Sequence, residues 1–445
     1  MNQNLLRSKT FSCLEILKNI ISPVLIEDKP ADRIIASYFK LNKKYGSKDR
    51  KFLYEMVFSF FRWLGWTRFL ISSDNLHPRD IFTGIKDKEL LLVLLGSSLL
   101  DSTAGKEMLL CWMDEFHLEH SYMKEFESAV KLKDKTSVFK KFLKSFSVNK
   151  EITFDQLIPD WVYSKIPEST NKDKFVEYCQ TRPPIWLRLQ TSDTSAFFNE
   201  LKENNVKYAV HESITNAVSI IESEKSLYNY DSFQKGQFEI QDIASQIIGL
   251  TASPKPGQRW WDCCAGGGGK TLQLANLMQN KGRIIASDIR EYKLEDLKKR
   301  ARRDGLFNIE CRPWDGSLLR KRKTESFDGV LIDSPCSCSG TWRRNPDAKW
   351  HLKASDVEEI NSIQKQLIRN AGPAVKSGGT LIYATCSFFE EENISVVNDF
   401  LSEYPEFKLE PFANPLNGVQ TPGFLQVYPW DADCDSMFVV RFRRS

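Results

Sequence analysis

WDCCAGGGGKTLQLA, residues 261–275, decides how the second half of the chain is read. The GGGGKT within it looks at first like a loop for a nucleoside triphosphate. Such a loop needs Gly, four spacers and then Gly-Lys-Ser/Thr, so that successive amides cradle phosphates and the lysine reaches the outer ones. Counting back from Gly269-Lys270-Thr271, the first glycine should stand at position 264, where the residue is Cys264. The dinucleotide pattern G-x-G-x-x-G fails as well, because it ends on Thr271 from Gly266 and on Leu272 from Gly267. Neither phosphate pattern fits, and the flanking sequence must name the ligand.

Outward from this stretch the chain repeats strand, turn and helix. RWWDCCA (259–265) leads into TLQLANLMQ, GRIIASD (282–288) into YKLEDLKKRARRDG, and IECRPWD (309–315) follows. FDGVLIDSP (327–335), the helix EINSIQKQLIRNAGPAV, the strand GGTLIYATCS (378–387), the helix EEENISVVNDFLSEY and the strand MFVVRFRR (437–444) complete the series. This alternation predicts a mostly parallel sheet with helices on both faces, an α/β fold of Rossmann type. Ligands of such sheets bind beyond the carboxyl ends of the strands, where Cys264, Asp288, Asp315, Asp333 and Cys386 fall.

Before the turn-rich SPKPGQ (253–258) the pattern differs. From about residue 5 to 145, segments such as KDRKFLYEMVFSFFRWLGW and DKELLLVLLGSSLL repeat apolar residues at helical spacing, with little Gly or Pro. The stripe Phe52, Phe58, Phe60, Phe61 and Trp63 reads as helix core and contact surface. Residues 150–182 read as a connector carrying the helix DKFVEYCQ. PPIWLRLQ, TSAFFNELKENNV and YAVHESITNAVSII then suggest a strand, a helix and a further strand region. The expected organisation is an all-helical domain over 1–148, a connector with a small α+β module over 149–240, and a catalytic α/β domain over 241–445.

The 445 residues, 41% hydrophobic and 27% charged, suit a soluble chain of two or three domains. No apolar run approaches a membrane span, and the N-terminus lacks the apolar block and cleavage site of a secretory signal. A cytoplasmic protein without a membrane partner, and a monomer, is expected. The net charge of +4 says little, but KKRARR (298–303), RKRK (320–323), Arg343-Arg344 and RFRR (441–444) gather in the second half. Charge runs are commonly solvated faces, yet four in one domain favour a nucleic-acid surface. Ten cysteines in a cytoplasmic chain argue against a disulfide scaffold. Their spacing is poor for zinc, since Cys336 and Cys338 form a C-x-C with no second pair, and no metal is expected.

Glycines 266, 267, 268 and 269 let backbone approach a ligand closely, and the helix N-terminus after them suits a carboxylate as well as a phosphate. Asp288, 20 residues past Gly268, stands where an acid can bind a ribose diol or cap a helix. With Asp315 at the end of the third strand, these residues suit a ligand with adenine, ribose and an amino-acid tail: S-adenosylmethionine. Two thiols at strand ends, Cys336 after LIDSP and Cys386 in LIYATCS, face the same crevice, with Asp333 three residues before the first. A single buried cysteine is usually an inert small hydrophobe.

DCCAGGGGKT, DSPCSCSGTWRRNPDAKW and YATCSFFEEEN resemble, in order, the three signature segments of the RsmB/Sun-type (Fmu-like) RNA cytosine-5 methyltransferases, roughly DxCAAPGGKT, DAPCSGxG followed by RRxPD, and YxTCS followed by EEN. The likeness covers residues 181–445. The helical part, with YGSKDRKFLYEMVFSFFRW, is similar to the NusB-like domain of the bacterial ribosomal RNA members, though less tightly. The chain departs from the pattern at Gly266-Gly267, where the family has Ala-Pro, and at Cys338. The first change is expected to loosen the turn while leaving its amides in place.

The resemblance implies S-adenosylmethionine-dependent methylation of carbon 5 of a cytosine in RNA. Cys386 would add to carbon 6 as nucleophile, Asp333 would assist protonation at ring nitrogen 3, and Cys336 would assist release. The turn Cys264, Ala265, Gly266, Gly267, Gly268 and Gly269, with Lys270, Asp315 and Asp333, would position the cofactor, and Asp288 would bind its ribose. Arg343 and Arg344 would contact RNA phosphates or order the active-site loop. Gln241 and Asp242 look like a segment near the substrate, with helix capping the alternative for Asp242. Small-subunit ribosomal RNA is the expected substrate, with transfer RNA open. A P-loop nucleotidase is opposed by Cys264, and a non-catalytic ribosome-assembly factor by the thiols and Asp333. A DNA cytosine methyltransferase is opposed by the assignment of the nucleophile to Cys386.

Overall fold

The computed structural model describes residues 3–72, 74, 76–319 and 324–445; the basic run at 320–323 lies outside the described residues. The chain divides into two compact units, residues 1–182 with 342–354 and residues 183–341 with 355–445.

The first unit is helical. Its helices include Gln3–Leu25, Ala31–Leu41, Ser47–Thr67, Asp87–Asp101, Lys106–Glu115 and Leu132–Lys144. Ser47–Thr67 is its centre, because every residue from Met56 to Thr67 is buried, and a helix enclosed all round has no face left for water. It packs against Asp87–Asp101, itself buried from Leu90 to Leu100. Of the aromatic stripe, Phe58, Phe60, Phe61 and Trp63 are core and Phe52 is half-buried. The guanidinium of Arg62, enclosed in this helix, donates to Asp101 Oδ2 at 2.8 Å and to the Arg343 carbonyl at 3.0 Å.

Residues 342–354 fall in this helical unit although the sequence places them inside the catalytic stretch 241–445. The reason is apolar and polar matching: Trp342 and Trp350 are buried, and Trp350 Nε1 donates to the Phe61 carbonyl at 2.7 Å. Lys349 Nζ donates to the Arg62 carbonyl at 3.2 Å, and Asp347 accepts the Ala31 N–H at 2.9 Å. Residues 150–182, read above as a connector, group with the same unit.

The second unit begins with a four-stranded antiparallel sheet of β1 (Ile185–Leu189), β2 (Lys207–Val210), β3 (Ala217–Glu222) and β4 (Phe238–Ile240), ordered β2-β3-β1-β4. The single strand region expected over 208–221 is a hairpin, β2 and β3. An eight-stranded sheet follows: β5 (Arg259–Asp262), β6 (Arg283–Ala286), β7 (Ile309–Cys311), β8 (Phe327–Asp333), β9 (Val375–Thr385), β10 (Phe407–Leu409), β11 (Phe424–Val427) and β12 (Met437–Arg444). Its order is β10-β12-β9-β8-β5-β6-β7, with β11 also paired to β12. β5 to β9 run parallel, and β10, β11 and β12 are antiparallel additions.

Alternation along these strands builds a core on each face. Trp260, Ile284, Leu331, Ile382 and Val439 pack with helices Ile243–Ala252 and Gly269–Leu277 on one side. Trp261, Ile285, Ile332, Tyr383 and Val440 pack with Ala354–Ala371 and Ile394–Glu403 on the other. β5 leads to β6 and β7 in one direction and borders β8 and β9 in the other. The strand order therefore reverses between β5 and β8, and a crevice opens at their carboxyl ends.

Candidate active site

Lys270, in the first turn of the helix after β5, reaches across that crevice. Its Nζ donates to Asp333 Oδ2 at 2.7 Å. Burial pulls the Lys270 pKa down, but Asp333, with Cys386 and Asp262 close by, holds it above the usual lysine value. The lysine thus stays charged and fixes a carboxylate. Beneath it Asp262, fully buried at the end of β5, accepts the Thr271 hydroxyl at 2.6 Å. Burial raises its pKa to about 7, with Asp333 adding to the rise and the Thr271 bond and Lys270 opposing it. The sequence reading did not single out Asp262; the signal was an acid closing an apolar strand directly before the glycine turn.

The glycine turn is shaped to admit a ligand. Gly266 lies at φ +53°, and neither it nor Gly269 has an atom within 4 Å of where a Cβ would stand. Gly268, at φ +90°, is the tight point: a Cβ there would meet Leu297 Cγ at 2.5 Å. The Gly267 carbonyl accepts from Arg300 at 2.6 Å, and the Ala265 N–H donates to the Ser287 carbonyl. Those open positions beside a helix N-terminus fit the amino-acid tail of S-adenosylmethionine.

Asp288 lies two residues past β6 and is buried. Its Oδ2 accepts the Gly266 N–H at 2.9 Å and Arg290 Nη2 at 3.2 Å, while Oδ1 accepts Arg290 N at 2.8 Å and Nε at 3.0 Å. Burial would raise its pKa, but the bonds from Arg290 and Gly266 outweigh that and lower it. A carboxylate offers about four acceptor sites, so a ribose diol placed here would have to take over those held by Arg290. Asp315 stands apart from the expectation of a strand end: β7 stops at Cys311, and Asp315 is exposed in the loop beyond, accepting the Ser317 N–H at 3.0 Å. Cys264 is half-buried in the turn.

The two thiols meet. Asp333 pairs in register with Ala384, which brings the loop after β8 beside the residue after β9, and the Cys336 and Cys386 sulfurs lie 3.2 Å apart. The loops are laced by Glu392, fully buried, whose carboxylate accepts the Ser337 N–H at 2.9 Å, the Ser387 hydroxyl at 2.8 Å and Gln364 Nε2 at 3.0 Å. Burial raises its pKa against these bonds. Gly340 N also donates to the Cys386 carbonyl at 2.9 Å. Glu392 was missed in the sequence reading, although the acidic run after YATCS was its signal.

A third thiol, Cys338, joins the pair, all three sulfurs lying within 4.8 Å of one another. Hydrogen bonds from Cys336 and Cys386, with Lys270 and Arg290 nearby, hold Cys338 well below the usual thiol range. Cys336 is pushed well up by its contacts with Cys338 and Cys386 and by burial. For Cys386 the contact with Cys336 lowers the pKa, but Cys338, burial and Asp333 outweigh it, and the result is a value well above the usual one.

Other expected residues sit elsewhere. Arg343 is buried in the helical unit, donates to Thr181 Oγ1 at 2.8 Å and stacks over Tyr178, so it orders structure and has no face for a phosphate. Gln241 is buried, accepting Arg188 Nε at 2.6 Å and donating to Gln273 at 3.1 Å. Asp242 caps helix Ile243–Ala252 by accepting the Ala244 N–H at 2.9 Å. Within the basic runs, Arg300 and Arg303 are paired with Glu239, and Arg441 and Arg443 with Glu410. No helix among the described residues is long and apolar enough to cross a membrane.

Residues 250–443 match the family model described as 16S rRNA methyltransferase RsmB/F. The chain is 27% identical over 398 residues to ribosomal RNA small subunit methyltransferase B of Citrobacter koseri, covering 86% of this chain and 90% of that one. It is 29% identical over 300 residues to the "Probable ribosomal RNA small subunit methyltransferase B" of a Synechocystis species, covering 64% of this chain and 67% of that one. Among solved structures, PH0851 matches with a TM-score of 0.72 at 23% identity, over 97% of this chain and 99% of that one, a likeness of fold.

Proposed function

Residues 250–443 belong to the RsmB/F methyltransferase family, and from that premise we propose that the protein methylates carbon 5 of a cytosine in small-subunit ribosomal RNA. The observation that carries the chemistry is the Cys336–Cys386 pair, 3.2 Å apart, beside an Asp333 held by Lys270. The cofactor is S-adenosylmethionine, which when bound supplies an electrophilic methyl group. The relatives named as small-subunit methyltransferases support the ribosomal substrate and a cytoplasmic site of action.

Carbon 5 of cytosine is too poor a nucleophile to take a methyl group unaided. Cys386 adds through sulfur to carbon 6, which turns carbon 5 into the electron-rich end of an enamine. The proton that leaves the Cys386 thiol equals the one gained at ring nitrogen 3, and Asp333 is the group to carry it. Lys270 keeps Asp333 in place through this exchange. After methyl transfer a solvent base takes the carbon 5 proton, the carbon 6–sulfur bond breaks to release the Cys386 thiolate with Cys336 assisting, and the nitrogen 3 proton returns through Asp333 to Cys386. A stacked base cannot reach such a crevice, so the cytosine is taken unstacked or single-stranded.

Bisulfite sequencing of total RNA from a deletion strain tests the reading. Loss of one 5-methylcytosine in small-subunit ribosomal RNA, restored by the wild-type gene but not by Cys386→Ala, is expected. Loss confined to transfer RNA would move the substrate, and no loss anywhere would refute it. With purified protein, Cys336→Ala should accumulate a covalent RNA adduct on denaturing gels; normal turnover without the adduct would remove the two-thiol assignment.

A further inference from the structure

Cys338 has no part in the chemistry above, and its backbone is unusual. It adopts φ +56°, the left-handed region, where the Cβ of an L-residue crowds its own backbone. The family pattern has glycine at this position. A strained residue that brings a third sulfur to a pair of functional thiols points to a use for the sulfur. Cys338 is exposed while Cys336 and Cys386 are half-buried, so the trio has a mouth open to solvent.

We infer that Cys336, Cys338 and Cys386 form a binding site for a soft d10 cation, Zn2+ being the one intended, whose occupancy excludes methyl transfer. Sulfurs bound to one tetrahedral zinc at 2.3 Å stand about 3.8 Å apart. The cluster spans this value, from 3.2 Å for Cys336–Cys386 to within 4.8 Å overall. Thiolate ligands select such cations over hard ones. Two of the three ligands come from one C-x-C, which offers no site by itself; the third, Cys386, arrives only through the pairing of β8 with β9. Three thiolates and a dication carry one net negative charge, and Lys270 stands nearby to favour it. Binding sends the thiol protons to solvent, leaves the fourth tetrahedral position open, and occupies both the nucleophile and the releasing thiol.

The inhibition rests on the proposed reaction, but the binding does not, so the two can fail separately. Full-length reduced protein is titrated anaerobically with Cd2+ and with Zn2+. One Cd2+ per chain, with a thiolate-to-metal charge-transfer band in the ultraviolet, is expected, together with loss of methyl transfer as Zn2+ is added. Cys338→Gly, whose backbone suits φ +56°, should keep methyl transfer without metal and weaken Cd2+ binding and Zn2+ inhibition by at least roughly 100-fold, the upper end of what loss of even an outer-shell partner costs. Cys338→Ser, keeping the side-chain volume, should do the same. Absence of the band in wild type, or a band and inhibition unchanged in both variants, overturns the site. An active enzyme without the band would remove the metal site and leave the methylation reading intact.

Discussion

Glu392 accepts the backbone N–H of Ser337 at 2.9 Å, so a carboxylate 55 residues further along sets the loop that carries Cys336. The same carboxylate holds the Ser387 hydroxyl next to Cys386. One buried acid thus fixes the spacing of two thiols from different strands. Glu392→Ala would leave Ser337 N without an acceptor, at about 1–3 kcal/mol, and would take one acceptor each from Ser387 Oγ and Gln364 Nε2, which keep the Ser339 hydroxyl and the Pro335 carbonyl as partners. A lowered melting temperature is expected, together with a fall in kcat on the order of 100-fold from thiol misplacement. Glu392→Gln, which keeps one acceptor oxygen, should lie between. Equal kcat in all three proteins would show that the loops hold their spacing without it.

Lys270 separates two roles that the sequence could not. By resemblance it positions the cofactor, yet its Nζ is bonded to Asp333. Lys270→Met should lower the single-turnover methylation rate by roughly 100-fold or more, the scale of losing a proton-transfer group, while the Kd for S-adenosylmethionine changes only slightly. Lys270→Arg should recover part of the rate. A large rise in Kd with an unchanged rate would assign the lysine to the cofactor.

Arg290 occupies acceptor sites on Asp288 that a ribose would need. Arg290→Ala frees two of them, so calorimetric titration should show S-adenosylmethionine binding as tightly as in wild type or more so. Asp288→Ala should weaken it by roughly tenfold or more, since a hydrogen bond to a charged group contributes about 1.5–3 kcal/mol. Weaker binding on loss of Arg290 would make the arginine a direct ligand contact.

Lys349 is fully buried in the helical unit, and burial lowers its pKa to about 7. Between about 7 and its ordinary value near 10.5 the unfolded chain binds the proton and the folded chain does not. Stability from this group therefore rises with pH across that window and is flat below it, by up to about 1.4 kcal/mol per pH unit. Thermal melting of wild type between pH 7.5 and 9.5 should exceed in upward slope that of Lys349→Met. Parallel curves would mean that Lys349 titrates near its ordinary value in the folded protein.

The order of elements, the glycine turn, both cysteine loops and Asp333 were legible because each depends on local pattern: alternation within strands, helical spacing, and turn chemistry at strand ends. Helical burial in the first unit was legible for the same reason. The rejection of a phosphate loop needed only one residue, Cys264. What the sequence left open were contacts between segments far apart in the chain. Residues 342–354 join the helical unit because two tryptophans find their partners there. Arg343 is spent on structure, Gln241 and Asp242 on a buried network and a cap, and Arg300, Arg303, Arg441 and Arg443 of the basic runs on Glu239 and Glu410. Asp315 proved exposed, since strand length is set by pairing with β6. Asp262 and Glu392 gained their roles through burial, which no local pattern reports. The sequence by itself determined which strand ends carry acids and thiols; only the register of β8 against β9 decided that three sulfurs, and not two, share one place, because distance between side chains follows strand pairing and not separation along the chain.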